Sequence, residues 1–541
     1  MSTNRHLVRI VVVGFGMAGS RLVEDLLARA SRDGAPALSI TVVGAEPYPA
    51  YNRVLLSEVV AGRADIASLA TADVPDLEAR GVRVLTGVAA ASLDRDRRLL
   101  ACTDGTLLPY DHLVLATGAR PTRPAVDGVP PLAALPGGVH ELRTVDDARE
   151  LVAAATNATR AVVVGGGLLG LEVARGLARR GPAVTVLHHG PSLLDRQLDA
   201  TGGAVLARAF RRLGVDVRTG ARTTAVRLGP TGRAHGVDVE VDGQAQTLDA
   251  DLVVLSCGIR PDTDLAAAAG LPVGRGVLVD DLMRTADPAV SAIGDCAEFD
   301  GAVPGLVATA WAQARVVADL LTAADPGARY RHADPVVRLK AADVEVAAAG
   351  ACRPDPWDET PGQEVVQLLD PVGGRYVKAV VREGRVAGAV VVGDARAAAE
   401  LCRQVDAGAL APPDRTALLT PGRRAAGPAG GSDDPTLIPD RATVCRCNGV
   451  TKKALVQAWS DGARDVDALG RRTRAGTGCG TCKDALTGLL GWLQRSDPGT
   501  EAVPEPAGPA AAARDGVPGR RSAPLATDPT QPDPTPAGGT R

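Results

Sequence analysis

Two kinds of residue in this chain are spaced for chemistry: clustered cysteines and tripled glycines. Cys445-Arg-Cys447 and Cys479-Gly-Thr-Cys482 put four thiols into one short segment. Four thiolates hold zinc or an iron–sulfur cluster. Zinc ribbons usually pair two C-x2-C hooks, and the single residue between Cys445 and Cys447 departs from that pattern. The spacing therefore favours a [2Fe–2S] cluster, with zinc and a plain thiol pair as the alternatives. The glycines form Gly14-Phe-Gly16-Met-Ala-Gly19 and Gly165-Gly-Gly167-Leu-Leu-Gly170. In such a motif the first glycine makes a tight turn and the second lets the backbone approach a pyrophosphate. The third lets a helix pack closely on a strand, and the helix N-terminus stabilises the phosphate charge.

The elements that must position these residues follow from the apolar pattern. Leu7–Val13 reads as a strand, Ala18–Ala30 as a helix and Leu38–Gly44 as a second strand that ends just before Glu46. Glu46 is thereby placed to bind adenosine ribose hydroxyls. Two more strand ends carry Ala116-Thr117-Gly118 and Gly294-Asp295. A long cofactor needs contacts beyond its pyrophosphate, and an aspartate at a strand end suits ribityl hydroxyls, so the first motif reads as an FAD site. The second motif repeats the scheme, with strands Arg160–Val164 and Ala183–Leu187 around a helix Leu168–Arg180 that carries Glu172. A second nucleotide site beside a flavin implies hydride transfer from NAD(P)H. Where the ribose acid usually stands the chain has His188, with His189 beside it. Its absence leaves NADPH open as well as NADH, with Arg196 as a phosphate partner.

The rest of the composition bounds the answer. The 541 residues allow several domains, and a net charge of −3 gives no field to gather nucleic acid or an anionic membrane. No apolar run is long enough to span a bilayer, and the run His6–Val13 stops at a glycine turn without a signal-peptide cleavage site. The other five cysteines are scattered, which suits a reducing cytoplasm. Tyr376–Val380 and Val386–Val392 are strand-like, and Ala397–Asp406 is helical. Pro412–Pro439 is rich in Pro, Gly, Asp and Arg, and the chain after Asp497 has almost no large apolar residue. Around the cysteines, Thr451 caps a helix running to about Ser460, and Val466–Leu469 begins a second.

The fold class expected is α/β: two Rossmann-like domains, for FAD and NAD(P)H, an α+β C-terminal domain and a small helical [2Fe–2S] module. The expected domains are a discontinuous FAD-binding domain (1–143 and 251–325), an NAD(P)H-binding domain (144–250) and an α+β interface domain (335–410). A linker (411–440), a [2Fe–2S]-binding domain (441–495) and a disordered tail (496–541) follow.

Residues 1–410 resemble the FAD- and NAD(P)H-dependent pyridine nucleotide-disulfide oxidoreductase superfamily. Cys445-Arg-Cys-Asn-Gly-Val-Thr451 with Gly476-Thr-Gly-Cys-Gly-Thr-Cys482 resembles the bacterioferritin-associated ferredoxin-like [2Fe–2S] domain. Together they are similar to the N-terminal half of NAD(P)H nitrite reductase large subunits and to electron-transfer subunits of assimilatory nitrate reductase. Pro49-Ala-Tyr51-Asn52-Arg53-Val-Leu-Leu-Ser57 and Leu339-Lys340 strengthen that choice. The resemblance implies that Gly14, Gly16, Gly19, Glu46, Asn52, Arg53, Thr117 and Asp295 contact FAD, and that Gly165, Gly167, Gly170 and Glu172 contact NAD(P)H. It implies Cys445, Cys447, Cys479 and Cys482 as cluster ligands, and the 335–410 domain as a homodimer interface. Two departures matter. Tyr51–Gly62 holds no cysteine, which excludes disulfide and peroxide chemistry there, and the cysteine pattern of the siroheme half of nitrite reductases is missing.

The expected function is an electron relay. NAD(P)H gives a hydride to the flavin, which releases electrons singly to the cluster and on to a redox partner protein, a nitrate or nitrite reductase catalytic subunit. The rivals are delivery to another partner (a ferredoxin, a monooxygenase, an opine- or amine-dehydrogenase) and a zinc-bound or redox-sensing interaction protein.

Overall fold

Near-continuous apolar runs with little alternation suit strands covered on both faces of a parallel sheet, and Leu7–Val13 and Arg160–Val164 are such runs. A computed structural model describes residues 7–31, 35–303, 305–332, 336–341, 343–420, 438–445, 448–478, 480 and 482–496. In it the two runs are the central strands of two five-stranded parallel sheets. The first sheet has the order Val290–Ala292, His112–Leu115, Leu7–Val13, Ala37–Gly44, Arg83–Thr86. The second has the order Val215–Arg218, Ala183–Leu187, Arg160–Val164, Leu252–Leu255, Val139–Glu141. Each central strand runs through its glycine turn into a helix, Met17–Ala30 or Leu168–Ala178. The helix Met17–Ala30 buries Leu22, Val23 and Leu26 in a core shared with Ala314, Val317 and Ala318 of the helix Val307–Leu321.

The third unit is a five-stranded antiparallel sheet in the order Val337–Ala341, Val344–Gly350, Arg385–Val392, Arg375–Arg382, Gln363–Asp370. Its strands alternate between two apolar faces, as their period of two dictates. Val346, Ala348, Tyr376, Val390 and Val392 pack against the second nucleotide domain. Ala347, Ala349, Val377, Ala379 and Val391 pack under the helix Ala395–Asp406. That core also takes in Leu418 and Leu419, so the Pro-rich stretch expected to be linker begins as packed chain; residues 421–437 lie outside the described residues.

The cysteine module opens with a short hairpin, Thr443–Cys445 and Val450–Thr451. Thr451 Oγ1 accepts from Ala454 N and caps the helix Lys452–Ser460, and Asp465 caps Val466–Thr473. A third helix, Lys483–Ser496, was not part of the expected clamp and completes the core through Leu486, Leu489, Leu490 and Leu493. Cys447, Cys479 and the expected disordered tail beyond Ser496 lie outside the described residues.

Candidate functional site

The two glycine turns solve one steric problem in the same way. Gly14 has φ +114°, and a Cβ there would run into Ala116 O; a Cβ on Gly19 would run into Gly14 O. Gly165, with φ +127°, and Gly170 repeat this against Ser256 O and Gly165 O. The middle glycines differ. A Cβ on Gly16 would meet only Arg53 Nε, at 4.0 Å, and one on Gly167 would meet nothing within 4 Å among the described residues. Outer glycines are demanded by packing; middle ones leave an open floor at a helix N-terminus, which is what a pyrophosphate needs.

At the carboxyl ends of the first sheet's strands that floor opens into a cleft of about 750 Å³. Gly14, Gly16, Glu46, Arg53, Thr117 and Asp295 all line it. Glu46 accepts the Tyr51 hydroxyl at 2.6 Å and pairs with the Arg53 guanidinium, which stands 4.9 Å from the Tyr51 ring centroid. Burial, with the Glu46 contact adding to it, holds the Tyr51 phenol protonated, well above its ordinary range. Asp295 accepts from Arg143 Nη2 at 2.9 Å, and Thr117 Oγ1 donates to Asp262 O at 2.6 Å. Acids, arginines and the backbone of the glycine turn thus line one cleft, and the donor set fits FAD. Arg143 gave no signal in the sequence, because its partner lies 152 residues away.

At the second turn the predicted residues divide. His188 follows the strand Ala183–Leu187 directly, and its Nδ1 accepts from Gly166 N at 3.2 Å. Glu172 turns elsewhere. Its buried carboxylate accepts from Ser57 Oγ at 2.6 Å and from Lys340 N at 3.0 Å, so it sits in the seam where the three domains meet.

In the cysteine module, Cys445 and Cys482 are buried, and Asn448 Nδ2 lies 3.7 Å from Cys445 Sγ. Buried thiols beside an amide donor suit a cluster whose charge needs hydrogen bonds. The loop leading to Cys479 rests on the first domain. Asn52 Nδ2 donates to Thr477 O at 3.0 Å and to Gly478 O, while its Oδ1 accepts from Val54 N. Arg21 Nη1 donates to Asn448 Oδ1 at 2.8 Å, Arg474 pairs with Glu24 at 3.2 Å, and Trp311 is buried in the module's own core. Asn52 was expected among the FAD contacts; its side-chain amide lies in this seam, one residue from Arg53 in the cleft.

Comparison with known proteins accords with this layout. Residues 8–314 match the family model described as pyridine nucleotide-disulphide oxidoreductase. The chain belongs to that family. Residues 335–409 match the rubredoxin NAD+ reductase C-terminal domain, and residues 443–492 match the BFD-like [2Fe–2S] binding domain. The cofactors are FAD, NAD(P)H and a [2Fe–2S] cluster, which sets the zinc alternative aside. The chain is an FAD-dependent NAD(P)H oxidoreductase. It is 34% identical over 495 residues to a nitrite reductase [NAD(P)H] of Bacillus subtilis (strain 168), covering 90% of this chain and 58% of the relative. It is 31% identical over 496 residues to the assimilatory nitrate reductase electron transfer subunit of the same organism, covering 90% of this chain and 60% of the relative. The chain therefore spans about three fifths of the length of these relatives. Among solved structures, the covalent putidaredoxin reductase–putidaredoxin complex superposes with a TM-score of 0.63 at 27% identity, covering 73% of this chain and 93% of the other.

Proposed function

We propose that this chain is the electron-supplying arm of assimilatory nitrate or nitrite reduction, passing electrons from NAD(P)H to the catalytic subunit of a nitrate or nitrite reductase. When bound, the flavin takes a hydride from NAD(P)H and yields electrons singly to the cluster. In this reading Gly14, Gly16, Glu46, Arg53, Thr117 and Asp295 hold FAD, with Gly19 closing the helix onto its strand. Arg53 stands over the open floor at Gly16, where it offsets pyrophosphate charge. Gly165, Gly167 and Gly170 hold NAD(P)H, and Cys445, Cys447, Cys479 and Cys482 hold the cluster. Glu172 fastens the seam through Ser57 and Lys340.

The observation that carries the relay is the seat of the cluster loop on Asn52, adjacent to the cleft-lining Arg53. Tyr51–Gly62 contains no cysteine to take electrons instead. A second reading, delivery to a ferredoxin-type or monooxygenase partner, draws on the likeness to putidaredoxin reductase bound to putidaredoxin. We place the protein in the cytoplasm; no helix among the described residues is long and apolar enough to cross a membrane. We also propose a homodimer formed through the 335–410 domain, where Leu369 and Val372 are exposed.

To test the assignment, the protein is purified anaerobically and mixed with NAD(P)H and, separately, a nitrate reductase catalytic subunit, a nitrite reductase catalytic subunit and a ferredoxin. Nitrite formation or consumption that requires this chain is the expected result. Transfer to the ferredoxin alone would overturn the assignment in favour of the second reading.

A further inference from the structure

Trp311 belongs to the first domain by sequence and to the cysteine module by packing. It stands near the start of the helix Val307–Leu321, on one helical stripe with Val307 and Ala310. Val307 and Ala310 line the flavin cleft. Trp311 is only 4% exposed and shares the core that holds Cys445, Cys482 and Leu486. A module this small builds a limited core of its own, and here an indole from another domain completes it. Met17 and Val307 pack against the same core while lining the cleft, so cleft and core share a wall.

The ring is held by its polar edge and by its face. Nε1 donates to Met17 O at 3.0 Å, which ties the indole to the helix that opens at the first glycine turn. The Arg21 guanidinium lies 5.3 Å from the ring centroid. Arg21 is itself buried and fixed: its Nε pairs with Asp25 at 2.8 Å, and its Nη1 donates to Asn448 Oδ1 at 2.8 Å. Asn448 Nδ2 in turn lies 3.7 Å from Cys445 Sγ. A buried indole with its N–H bonded and a fixed cation over its face is held in one position. Trp311 also lines a cavity of about 410 Å³ in the seam, with residues 68–73 on one side and Gly470, Arg471 and Thr477 on the other.

We propose that Trp311 is a positioning residue for electron transfer from the flavin cleft to the cluster: it keeps the module seated on the cleft wall throughout turnover, so that the cluster works from one fixed position. The indole is neither oxidised nor reduced. Its part is to hold the shared wall closed, because electron transfer between two sites falls off steeply with their separation. Emptying its seat would join the core around Cys445 and Cys482 to the seam cavity and loosen the module from the cleft.

The proposal rests on the cluster taking its electrons from the flavin, and the test separates the two claims. Stopped-flow absorbance follows flavin and cluster reduction by NAD(P)H in the full-length holoprotein. Hydrogen exchange of the oxidised protein, without turnover, reads residues 68–73 and 466–478, the two sides of the seam. Trp311→Leu should leave flavin reduction near the wild-type rate and slow cluster reduction about tenfold or more, the effect of a partly emptied aromatic seat. Exchange should rise on both sides of the seam. Trp311→Phe keeps a ring but loses the bond to Met17 O, so it should fall between Trp311→Leu and wild type; it decides the matter if Trp311→Leu does not fold. Cluster reduction at the wild-type rate in the folded variant, or exchange raised at 466–478 alone, would overturn the proposal by reducing Trp311 to an ordinary core residue. Equal slowing of flavin and cluster reduction would overturn it by placing Trp311 at the flavin site. A wild type whose flavin is reduced while its cluster stays oxidised would overturn the relay itself, before any variant is made.

Discussion

Asn448 shares its amide between the expected cluster and the rest of the protein. Its Nδ2 points at Cys445 Sγ and donates to Arg474 O, and its Oδ1 accepts from Arg21 of the first domain. A donor aimed at a ligand sulfur favours the more negative, reduced cluster. Asn448→Ala should therefore lower the cluster potential by roughly 40 mV, the one-electron equivalent of about 1 kcal/mol. An EPR-monitored redox titration reads this, and an unchanged potential would show that the contact does not reach the cluster. Residues of this kind leave little trace in a sequence. Glu46, Thr117 and Asp295 could be placed from it because each sits at the end of an apolar strand, a local fact. Asn448 and Arg143 acquire their roles from partners brought together by tertiary folding. Asn52 was assigned by resemblance to FAD, yet its amide reaches Thr477, 425 residues away.

At the scale of elements, the two strand–turn–helix units were almost fully legible. Continuous β-branched strands, glycines at fixed offsets and an amphipathic helix each signal the same unit, and its boundaries moved by only a residue or two. The duplication also makes a prediction that separates fold from function. Gly167 has φ −81°, a conformation any residue adopts, and open space above it. Gly167→Ala should leave thermal stability within about 1 kcal/mol of wild type while raising KM for the nicotinamide nucleotide. Gly165→Ala, with positive φ and the Ser256 carbonyl in the way, should be destabilised by several kcal/mol, as strain and overpacking at a buried turn combine. Melting curves and steady-state kinetics on the same two variants check both halves. Less legible were the third helix of the cysteine module and the packing of Leu418 and Leu419. Lys483–Ser496 follows directly on Cys482, and the two leucines sit in Pro-rich surroundings, so local composition hid elements that tertiary burial stabilises.

Across the whole molecule, the domains meet through polar contacts that composition could not announce. Glu172 ties the second domain to Ser57 of the first and Lys340 of the third. Lys378, fully buried, pairs with Asp199 across the same pair of later domains at 2.6 Å, where one partner without the other would be costly. The cysteine module is seated by Asn52, Arg21, Glu24 and Trp311. Asn52→Leu leaves the cleft's lining arginine and acids in place but removes the donor that holds the cluster loop. Stopped-flow absorbance should show flavin reduction by NAD(P)H near the wild-type rate and a slower cluster reduction. Equal slowing of both phases would return Asn52 to the flavin site.

The central claim is that electrons pass from NAD(P)H through FAD to the [2Fe–2S] cluster before leaving the chain, and anaerobic reduction of the full-length protein by NAD(P)H, followed at once by flavin absorbance and cluster EPR, tests it most directly. Flavin bleaching followed by a reduced-cluster signal, with Cys479→Ser retaining the first and losing both the second and delivery to the physiological acceptor, is the predicted result. A Cys479→Ser protein that still reduces that acceptor at the full rate would contradict the account.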